Sequence, residues 1–325
     1  MRRAISLMLA TTLAVLALPS WSASAAGWPD KPVRVVVPYA AGGANDLVGR
    51  VFADQLSKTF GQQFFVENRS GGSGTIGTEA VARAAPDGYT LIISGMPSHV
   101  LSPAMNHASF DPMKDFTHIA YLGGPPNVFV THPSLGVSTF QELLALMKRT
   151  PGGVQYVSPG VGSVGNTVAE YIADKEHVKL VHIIYRGGGA AIQDLIAGQV
   201  KVGSMTLSTT LPHIQAGKLK AIAVSSDKRV PEFPDLPTLV ELGYPDLVVR
   251  TWYSLSGPAK LPRDIVDKLN AAVNKALDVA DVQNRLKAEM VQTQAMTPDQ
   301  ITAFMQREVD RWAPTARRIA EQAKK

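Results

Sequence analysis

The sequence contains no cysteine in its 325 residues. This absence excludes disulfide bonds, thiolate metal sites, iron–sulfur clusters and a cysteine nucleophile. Charged residues are also few, at 18%, and no block of lysine and arginine is interleaved with aromatic side chains. Such a basic, aromatic-rich stripe is the usual footprint of nucleic-acid binding, so we expect no nucleic-acid partner.

Long apolar runs are missing after the N-terminus. The one candidate, residues 4–18, follows Arg2 and Arg3 and precedes a small-x-small pattern at residues 23–25. Its 15 residues are too few to span a bilayer core of about 30 Å. The three-part pattern instead predicts a secretory signal peptide over residues 1–25. We therefore expect a soluble, exported, periplasmic chain that starts near Ala26.

Known catalytic motifs are absent as well. The sequence has no H-E-x-x-H, no P-loop and no G-x-S-x-G, because Val161 and not glycine stands two residues before Ser163. His177 and His182 are five residues apart, a spacing that fits no single helix face. We expect no metal site and no cofactor. An exported hydrolase needs a nucleophile–base pair that the sequence does not reveal, so we predict that the protein is not an enzyme.

The composition that remains is typical of a globular protein. Hydrophobic residues make up 45% of the chain, and a length of 325 residues suits about two domains. Loss of Arg2 and Arg3 with the signal peptide lowers the formal net charge from +5 to +3. This mild positive excess suits a small anionic ligand.

The mature chain alternates between short β-branched runs and amphipathic segments. Runs at residues 33–37, 64–68 and 91–94 have the pattern of buried strands, and segments with helical spacing follow the first two. A second series starts at Asn127, and the last third is helical. We predict α/β units built on parallel sheets.

Three loops rich in glycine and small residues precede predicted helices, at residues 40–46, 71–77 and 160–166. Two contain G-x-G-x-x-G, but the second lacks the acidic residue of a dinucleotide site: Tyr185 and Arg186 follow the next strand. Helix N-termini offer unpaired N–H groups and partial positive charge, so each loop suits an anion such as a carboxylate. Tight strand–helix packing explains one such loop, whereas three favour a binding cleft.

Several ordered motifs carry a family resemblance. Residues 28–46 (WPDKPVRVVVPYAAGGAND) resemble the start of the Bug-type extracytoplasmic solute receptors of tripartite tricarboxylate transporters. Further similar motifs lie at residues 66–69, 84–90, 111–116, 185–187, 211–219 and 251–253. The resemblance covers nearly the whole mature chain.

This resemblance implies an α/β periplasmic binding protein of type II, with two lobes, a central ligand cleft and two crossover segments. We expect lobe 1 to comprise residues 26–126 and 250–325, and lobe 2 residues 127–249. The implied function is capture of a small carboxylate and its delivery to membrane transporter subunits. The alternative is a sensor that signals to a membrane kinase. We expect the receptor to be a monomer.

Ligand-binding candidates follow from motif positions in the family. Carried over one by one, they are Tyr39, Ala41, Gly43, Asp46, Thr75, Ser94, Ser163, Asn166 and Tyr185. Met205 is a further candidate, at a position where this chain departs from the family. The family often has aspartate where this chain has Lys201 and Met205. A methionine cannot pair with a ligand amine, so this departure favours an apolar or aromatic carboxylate over an amino acid. The alternative for Met205 is a place in the core.

Overall fold

The computed structural model describes residues 27–106, 108–185 and 187–322. The predicted signal peptide and its cleavage site lie outside these residues. Ten strands form two five-stranded sheets. In chain order the strands are β1 (Val33–Val37), β2 (Phe64–Asn68), β3 (Thr90–Gly95), β4 (Phe116–Gly123), β5 (Asn127–Thr131), β6 (Val154–Val157), β7 (Leu180–Ile183), β8 (Val202–Thr206), β9 (Lys220–Val224) and β10 (Tyr253–Pro258).

The two sheets share one topology. The strand order is β2-β1-β3-β10-β4 in the first sheet and β7-β6-β8-β5-β9 in the second. β1 pairs in parallel with β2 and β3, and β6 pairs in parallel with β7 and β8. β10 and β5 run antiparallel to both of their neighbours. The prediction of purely parallel sheets is therefore wrong for one strand in each, because that strand enters from the other sheet.

Ten α-helices cover the sheets in the described part of the chain. They are α1 (Ala44–Phe60), α2 (Thr75–Ala82), α3 (Ser102–Asn106), α4 (Phe140–Lys148), α5 (Val164–Lys175), α6 (Gly188–Ile196), α7 (Leu207–Gln215), α8 (Arg263–Ala276), α9 (Ala280–Ala288) and α10 (Pro298–Gln322). A π-helical segment, Met96–Leu101, joins β3 to α3. None of the helices among the described residues is long and apolar enough to cross a membrane.

The two sheets are joined where two chain segments cross. Residues 124–126 leave the first sheet for the second, and residues 249–252 return. The Thr251 N–H donates to the Pro125 carbonyl oxygen at 3.0 Å. At Gly124 a Cβ would lie 2.5 Å from both the Thr251 carbonyl oxygen and Trp252 Cα. Only glycine fits this close backbone crossing, which holds the two lobes side by side.

Apolar packing continues across the crossing. Each sheet has its own core, around Val35 in the first lobe and Val130 in the second. A third cluster contains Met105 and Trp252 together with Tyr156 and Val168 of the second lobe. Helix α10 supplies part of this cluster and spans both lobes: it packs on β4 and α3 of the first and on α5 of the second.

We predict that Gly124→Ala destabilises the protein by about 1–3 kcal/mol, because the added methyl group must displace backbone at the crossing. Urea unfolding of the mature chain measures this difference. Gly152→Ala is the matched control, since a Cβ there meets nothing within 4 Å. Equal stability of the two variants would show that the crossing tolerates a side chain.

Candidate functional site

Loops at the carboxyl ends of β1, β2 and β3 meet around Tyr39. Its hydroxyl donates to the Ser73 carbonyl oxygen at 3.4 Å, and it hydrogen-bonds to the Ser98 side chain. A Cβ at Gly74 would lie 2.9 Å from the Tyr39 hydroxyl oxygen, so the ring packs directly on this glycine. Burial raises the pKa of Tyr39 above its ordinary range. The protonated phenol of Tyr39, in the loop after β1, therefore contacts the loops after β2 and β3.

Asp46 orders the loop between β1 and α1. Its carboxylate is buried and accepts hydrogen bonds from the Gly42 N–H at 2.9 Å, Arg50 Nε at 3.0 Å and Asn68 Nδ2 at 2.8 Å. Burial alone would raise the pKa of Asp46. The three hydrogen bonds outweigh burial and hold the pKa of Asp46 below its usual value. The predicted ligand-binding candidate therefore shapes the loop from within, and the Asn68 amide also reaches the Tyr39 carbonyl oxygen.

The loop between β2 and α2 has an unusual backbone. Gly71, Gly72, Ser73 and Gly74 all have positive φ values, from 55° to 128°. Residues other than glycine rarely adopt these backbone conformations. The succession turns the chain back towards Tyr39 and brings it to the start of α2, where the Thr75 hydroxyl donates to the Gly72 carbonyl oxygen at 2.7 Å.

Three helices at the carboxyl edges of the sheets begin at a glycine. The N-cap residues are Gly43 for α1, Gly74 for α2 and Gly187 for α6, and none provides a side-chain cap. The first-turn N–H groups of a helix have no partner within the helix. The uncapped N-termini of α1 and α6 therefore present donors and partial positive charge to an anion. At α2 the Thr75 and Ile76 N–H groups already donate to carbonyl oxygens of the preceding glycine loop. Asn45 and Asp46, which are both good capping residues, lie inside the first turn of α1, after its N-cap Gly43.

Asn45 is a candidate that the sequence pattern did not reveal. It lies in the first turn of α1 and is 7% exposed, yet neither its amide nitrogen nor its amide oxygen has a hydrogen-bond partner in the structure. A buried amide without partners is costly, so a bound molecule is a natural way to satisfy it. Its place beside the Gly43 N-cap makes Asn45 a further ligand-binding candidate.

The second lobe contributes the loop between β6 and α5. The Ser163 hydroxyl caps α5 by accepting from the Asn166 N–H at 3.1 Å, and it donates to Ser158 Oγ at 3.2 Å. Asn166 is buried, and its side-chain oxygen accepts from the Gly162 N–H at 3.2 Å. Both predicted residues thus shape the loop, which leaves its backbone as the surface towards the first lobe.

The fully buried Ser158 and the half-buried His182 form a pair that the sequence analysis did not predict. The Ser158 hydroxyl lies 2.8 Å from His182 Nε2. Burial lowers the pKa of His182 to about 4, so the imidazole is neutral near pH 7. The only signal in the sequence was the position of each residue near the end of a predicted strand.

The loops of the two lobes approach each other at Gly162. A Cβ at this residue would lie 3.0 Å from the sulfur of Met105, which belongs to α3 of the first lobe. On the other flank, a Cβ at Gly160 would lie 3.2 Å from the Tyr185 carbonyl oxygen. The Tyr185 hydroxyl donates to Asp194. Residues 158–163 and Tyr185 therefore form one face of the space between the lobes.

The remaining candidates divide between the loop surface and the interior. Ala41 and Gly43 are exposed on the loop after β1. Ser94 is fully buried within the first sheet, where its hydroxyl lies 2.6 Å from Ser254 Oγ and 3.0 Å from Ser256 Oγ. Met205 is fully buried in β8, with its methyl group 3.8 Å from the position of a Cβ at Gly188. The structure therefore places Ser94 and Met205 beneath the loops rather than on them.

No group of three or more His, Asp or Glu side chains that could hold a metal ion occurs among the described residues. Neutral donors and backbone amides dominate the facing loops. The arrangement suits recognition of a small anion by hydrogen bonds.

Comparison with known proteins agrees with this geometry. Residues 48–320 match the family model described as the tripartite tricarboxylate transporter family receptor. The chain belongs to this receptor family. It is similar to protein BugT of Bordetella pertussis, with 33% identity over 303 residues that cover 93% of each chain. The resemblance noted in the sequence is thereby confirmed.

Solved structures of similar receptors confirm the fold. Rpa4515 of R. palustris with adipate is 29% identical, with a TM-score of 0.81 over 90% of this chain and 98% of that one. MatC of Rhodopseudomonas palustris with bound malate is 32% identical, with a TM-score of 0.79 over 89% of this chain and 100% of that one. The periplasmic binding protein BugD has a TM-score of 0.78 at 31% identity, covering 90% and 98% of the two chains. The receptor has the two-lobed α/β fold of periplasmic binding proteins.

We predict that Asp46→Ala destabilises this receptor by about 2–3 kcal/mol, because the Gly42 N–H, the Asn68 amide and Arg50 lose a buried, charged acceptor. Urea unfolding at pH 7 measures the change. Asp54→Ala is the matched control, since the Asp54 carboxylate is half exposed and pairs with Lys58 on the surface of the same helix. Exposed pairs contribute about 0–1 kcal/mol, so equal losses in the two variants would contradict the role of Asp46.

Proposed function

We propose that this receptor captures a small carboxylate between its lobes and closes over it. The observation that carries the proposal is the pair of helices α1 and α6, which begin at uncapped glycines, one at the carboxyl edge of each sheet. A carboxylate accepts several N–H groups at once and complements the helix dipoles. Hinge closure around a ligand is a common response of two-lobed binding proteins.

The energetics allow useful affinity without a charged side chain in the site. A hydrogen bond to a charged group contributes roughly 1.5–3 kcal/mol. Four or five such bonds can support a micromolar Kd, about −8.2 kcal/mol, after closure and desolvation have been offset. Backbone donors suit this role because the loops that carry them are already ordered by Asp46 and Asn166.

Relatives narrow the ligand class. Adipate and malate, the acids in the structures of Rpa4515 and MatC, are both dicarboxylates. We infer that di- and tricarboxylates and aromatic acids are the ligands to test first. Met205 is buried in the core beneath Gly188, so it offers no carboxylate to a ligand amine and does not select the ligand body.

We infer binding rather than catalysis at this site. The Ser158–His182 pair resembles a nucleophile–base pair in its 2.8 Å separation, but the Ser158 side chain is fully buried. The same hydroxyl also contacts the Gly160 carbonyl oxygen at 3.1 Å and receives the Gly160 N–H at 3.2 Å. A hydroxyl enclosed in this way offers no access to a substrate carbonyl.

Family membership supports a periplasmic location and a membrane partner. We propose that residues 1–25 direct export, that the mature chain is a monomer, and that the liganded form delivers its acid to tripartite transporter subunits. Deletion of the gene should then abolish uptake of the bound acid, as measured with radiolabelled compound. Normal uptake combined with lost induction of acid-catabolic genes would instead indicate signalling to a membrane kinase.

We predict that one or more acids stabilise the refolded mature chain, residues 26–325, against thermal unfolding. The test set comprises dicarboxylates, citrate, aspartate, glutamate and aromatic acids such as nicotinate, benzoate and phthalates. A ligand at 100 times its Kd stabilises the native state by about 2.7 kcal/mol, which corresponds to a shift of several degrees. Stripping by unfolding and refolding removes any acid that copurifies.

Gly43→Asp tests whether the start of α1 holds the carboxylate. Gly43 has extended φ and ψ, and its Cβ would meet only the Ala40 carbonyl oxygen, at 3.8 Å, so an aspartate fits as an N-cap. We expect the variant to fold normally and to bind the stabilising acid at least tenfold more weakly. Gly152→Asp adds the same charge at a distant exposed glycine. Equal binding by the two variants would overturn the proposed site.

A further inference from the structure

A chain of hydrogen bonds lies behind the second-lobe loop at residues 158–163. The Gly162 N–H donates to Asn166 Oδ1 at 3.2 Å, and Asn166 Nδ2 donates to the Tyr156 hydroxyl oxygen at 2.8 Å. The Tyr156 hydroxyl in turn donates to Glu170 Oε1 at 2.7 Å. Tyr156 and Asn166 are both at most 2% exposed. The chain thus leads from the loop backbone into the interior of the second lobe.

Glu170, at the end of this chain, determines which group donates and which accepts in each hydrogen bond. Burial raises the pKa of Glu170, but whenever its carboxyl group is ionised it only accepts hydrogen bonds, so the Tyr156 hydroxyl then donates to Glu170 and keeps its lone pairs for Asn166. Asn166 therefore turns its NH₂ group towards Tyr156 and its carbonyl oxygen towards the Gly162 N–H. The Gly162 N–H, which can only donate, selects the same orientation from the other end, so both ends of the chain fix the Asn166 amide.

A second arm joins the same loop to the same tyrosine. The His182 ring stacks on the Tyr156 ring with centroids 4.8 Å apart, and His182 Nε2 lies 2.8 Å from Ser158 Oγ. Ser158 Oγ also receives the Ser163 hydroxyl at 3.2 Å. Both ends of the loop are therefore connected to Tyr156. Gly162 is connected through Asn166, and Ser158 is connected through His182.

Beyond Glu170 the protein is open rather than packed. A cavity of about 640 Å³ lies between α5, β7 and the end of α10, and Asn166, Glu170 and His182 are among its lining residues. Val161 of the loop also lines this cavity and packs against the apolar cluster that contains Met105, so the polar chain adds to apolar packing on this side.

We propose that Tyr156 and Glu170 are positioning residues, which orient Asn166 and thereby hold the Gly162 region of the loop in its binding geometry. This inference rests on the proposed function, because it assigns the loop to carboxylate capture. A loop that is ordered before binding loses less conformational freedom when the ligand arrives, which strengthens affinity without any additional contact.

The first test needs no ligand. Tyr156→Phe removes one oxygen from a buried ring of otherwise equal shape. Tyr171→Phe is the matched control, because Tyr171 lies on α5 and its hydroxyl also donates to a carboxylate, Asp246 Oδ2 at 2.9 Å, away from the loop. We expect amide exchange at Gly162, followed by NMR, to quicken at least tenfold in Tyr156→Phe and to stay unchanged in Tyr171→Phe. Equal exchange at Gly162 in the two variants would overturn the proposal.

Glu170→Gln provides a second variant with an unchanged side-chain shape. Its amide can either accept from or donate to the Tyr156 hydroxyl, so the direction of the chain is no longer unique. We expect faster Gly162 exchange than in the wild type and slower exchange than in Tyr156→Phe. A Gly162 exchange rate equal to that of the wild type in Glu170→Gln would show that Glu170 does not position the loop. If Tyr156→Phe does not fold, Glu170→Gln alone tests the proposal.

The second test uses adipate and malate as probes in calorimetric titrations. If the wild type binds either acid, we expect Tyr156→Phe to bind it about tenfold more weakly and Tyr171→Phe to bind it equally well. Equal affinity in all three proteins, together with a faster Gly162 exchange, would refute the link between loop order and binding. Absence of binding to the wild type would count against these acids as ligands, while the exchange experiment would still decide the role of Tyr156.

Discussion

The close crossing of two backbone segments at Gly124 is the constraint on which the rest of the structure depends. It allows residues 124–126 and 249–252 to pass within hydrogen-bond distance, and each segment then supplies the antiparallel strand of the opposite sheet. The carboxyl edges of both sheets consequently face a common space. Helix α10 spans the lobes beside this crossing, so that their cores are joined by apolar packing as well as by the chain.

In the site we propose within that space, backbone N–H groups rather than charged side chains bind the ligand. The helices α1, α2 and α6 start at glycines without side-chain caps. The polar side chains of Asp46, Ser163 and Asn166 form hydrogen bonds within the loops and order them. This division explains why family-derived site positions include residues that face inwards. We infer that a site of oriented amides binds the carboxylate group and leaves the rest of the ligand to neighbouring surfaces. Two solved relatives, Rpa4515 and MatC, hold the dicarboxylates adipate and malate.

Much of this fold was predictable because glycine, proline and β-branched residues mark the ends of strands such as β1 and β2. The sequence did not reveal β10, since its partners lie about 130 to 160 residues away and its pattern, Tyr253–Pro258, is rich in small residues. It also missed α7, which contains Pro212. The glycine loops were identified correctly by position, but the partners of Asp46, Tyr156 and His182 depend on contacts between distant segments, which spacing along the chain does not encode.

Closure of the lobes over an acid is the central claim, and a distance measurement between the lobes tests it most directly. The chain lacks cysteine, so exposed Thr59 on α1 and Gln193 on α6 can be replaced by cysteine and spin-labelled without interference. Pulsed electron paramagnetic resonance then reports the distance between the lobes with and without the acid that stabilises the protein most. The account predicts a shorter and narrower distance distribution at saturation. An unchanged distribution under saturating acid would contradict it.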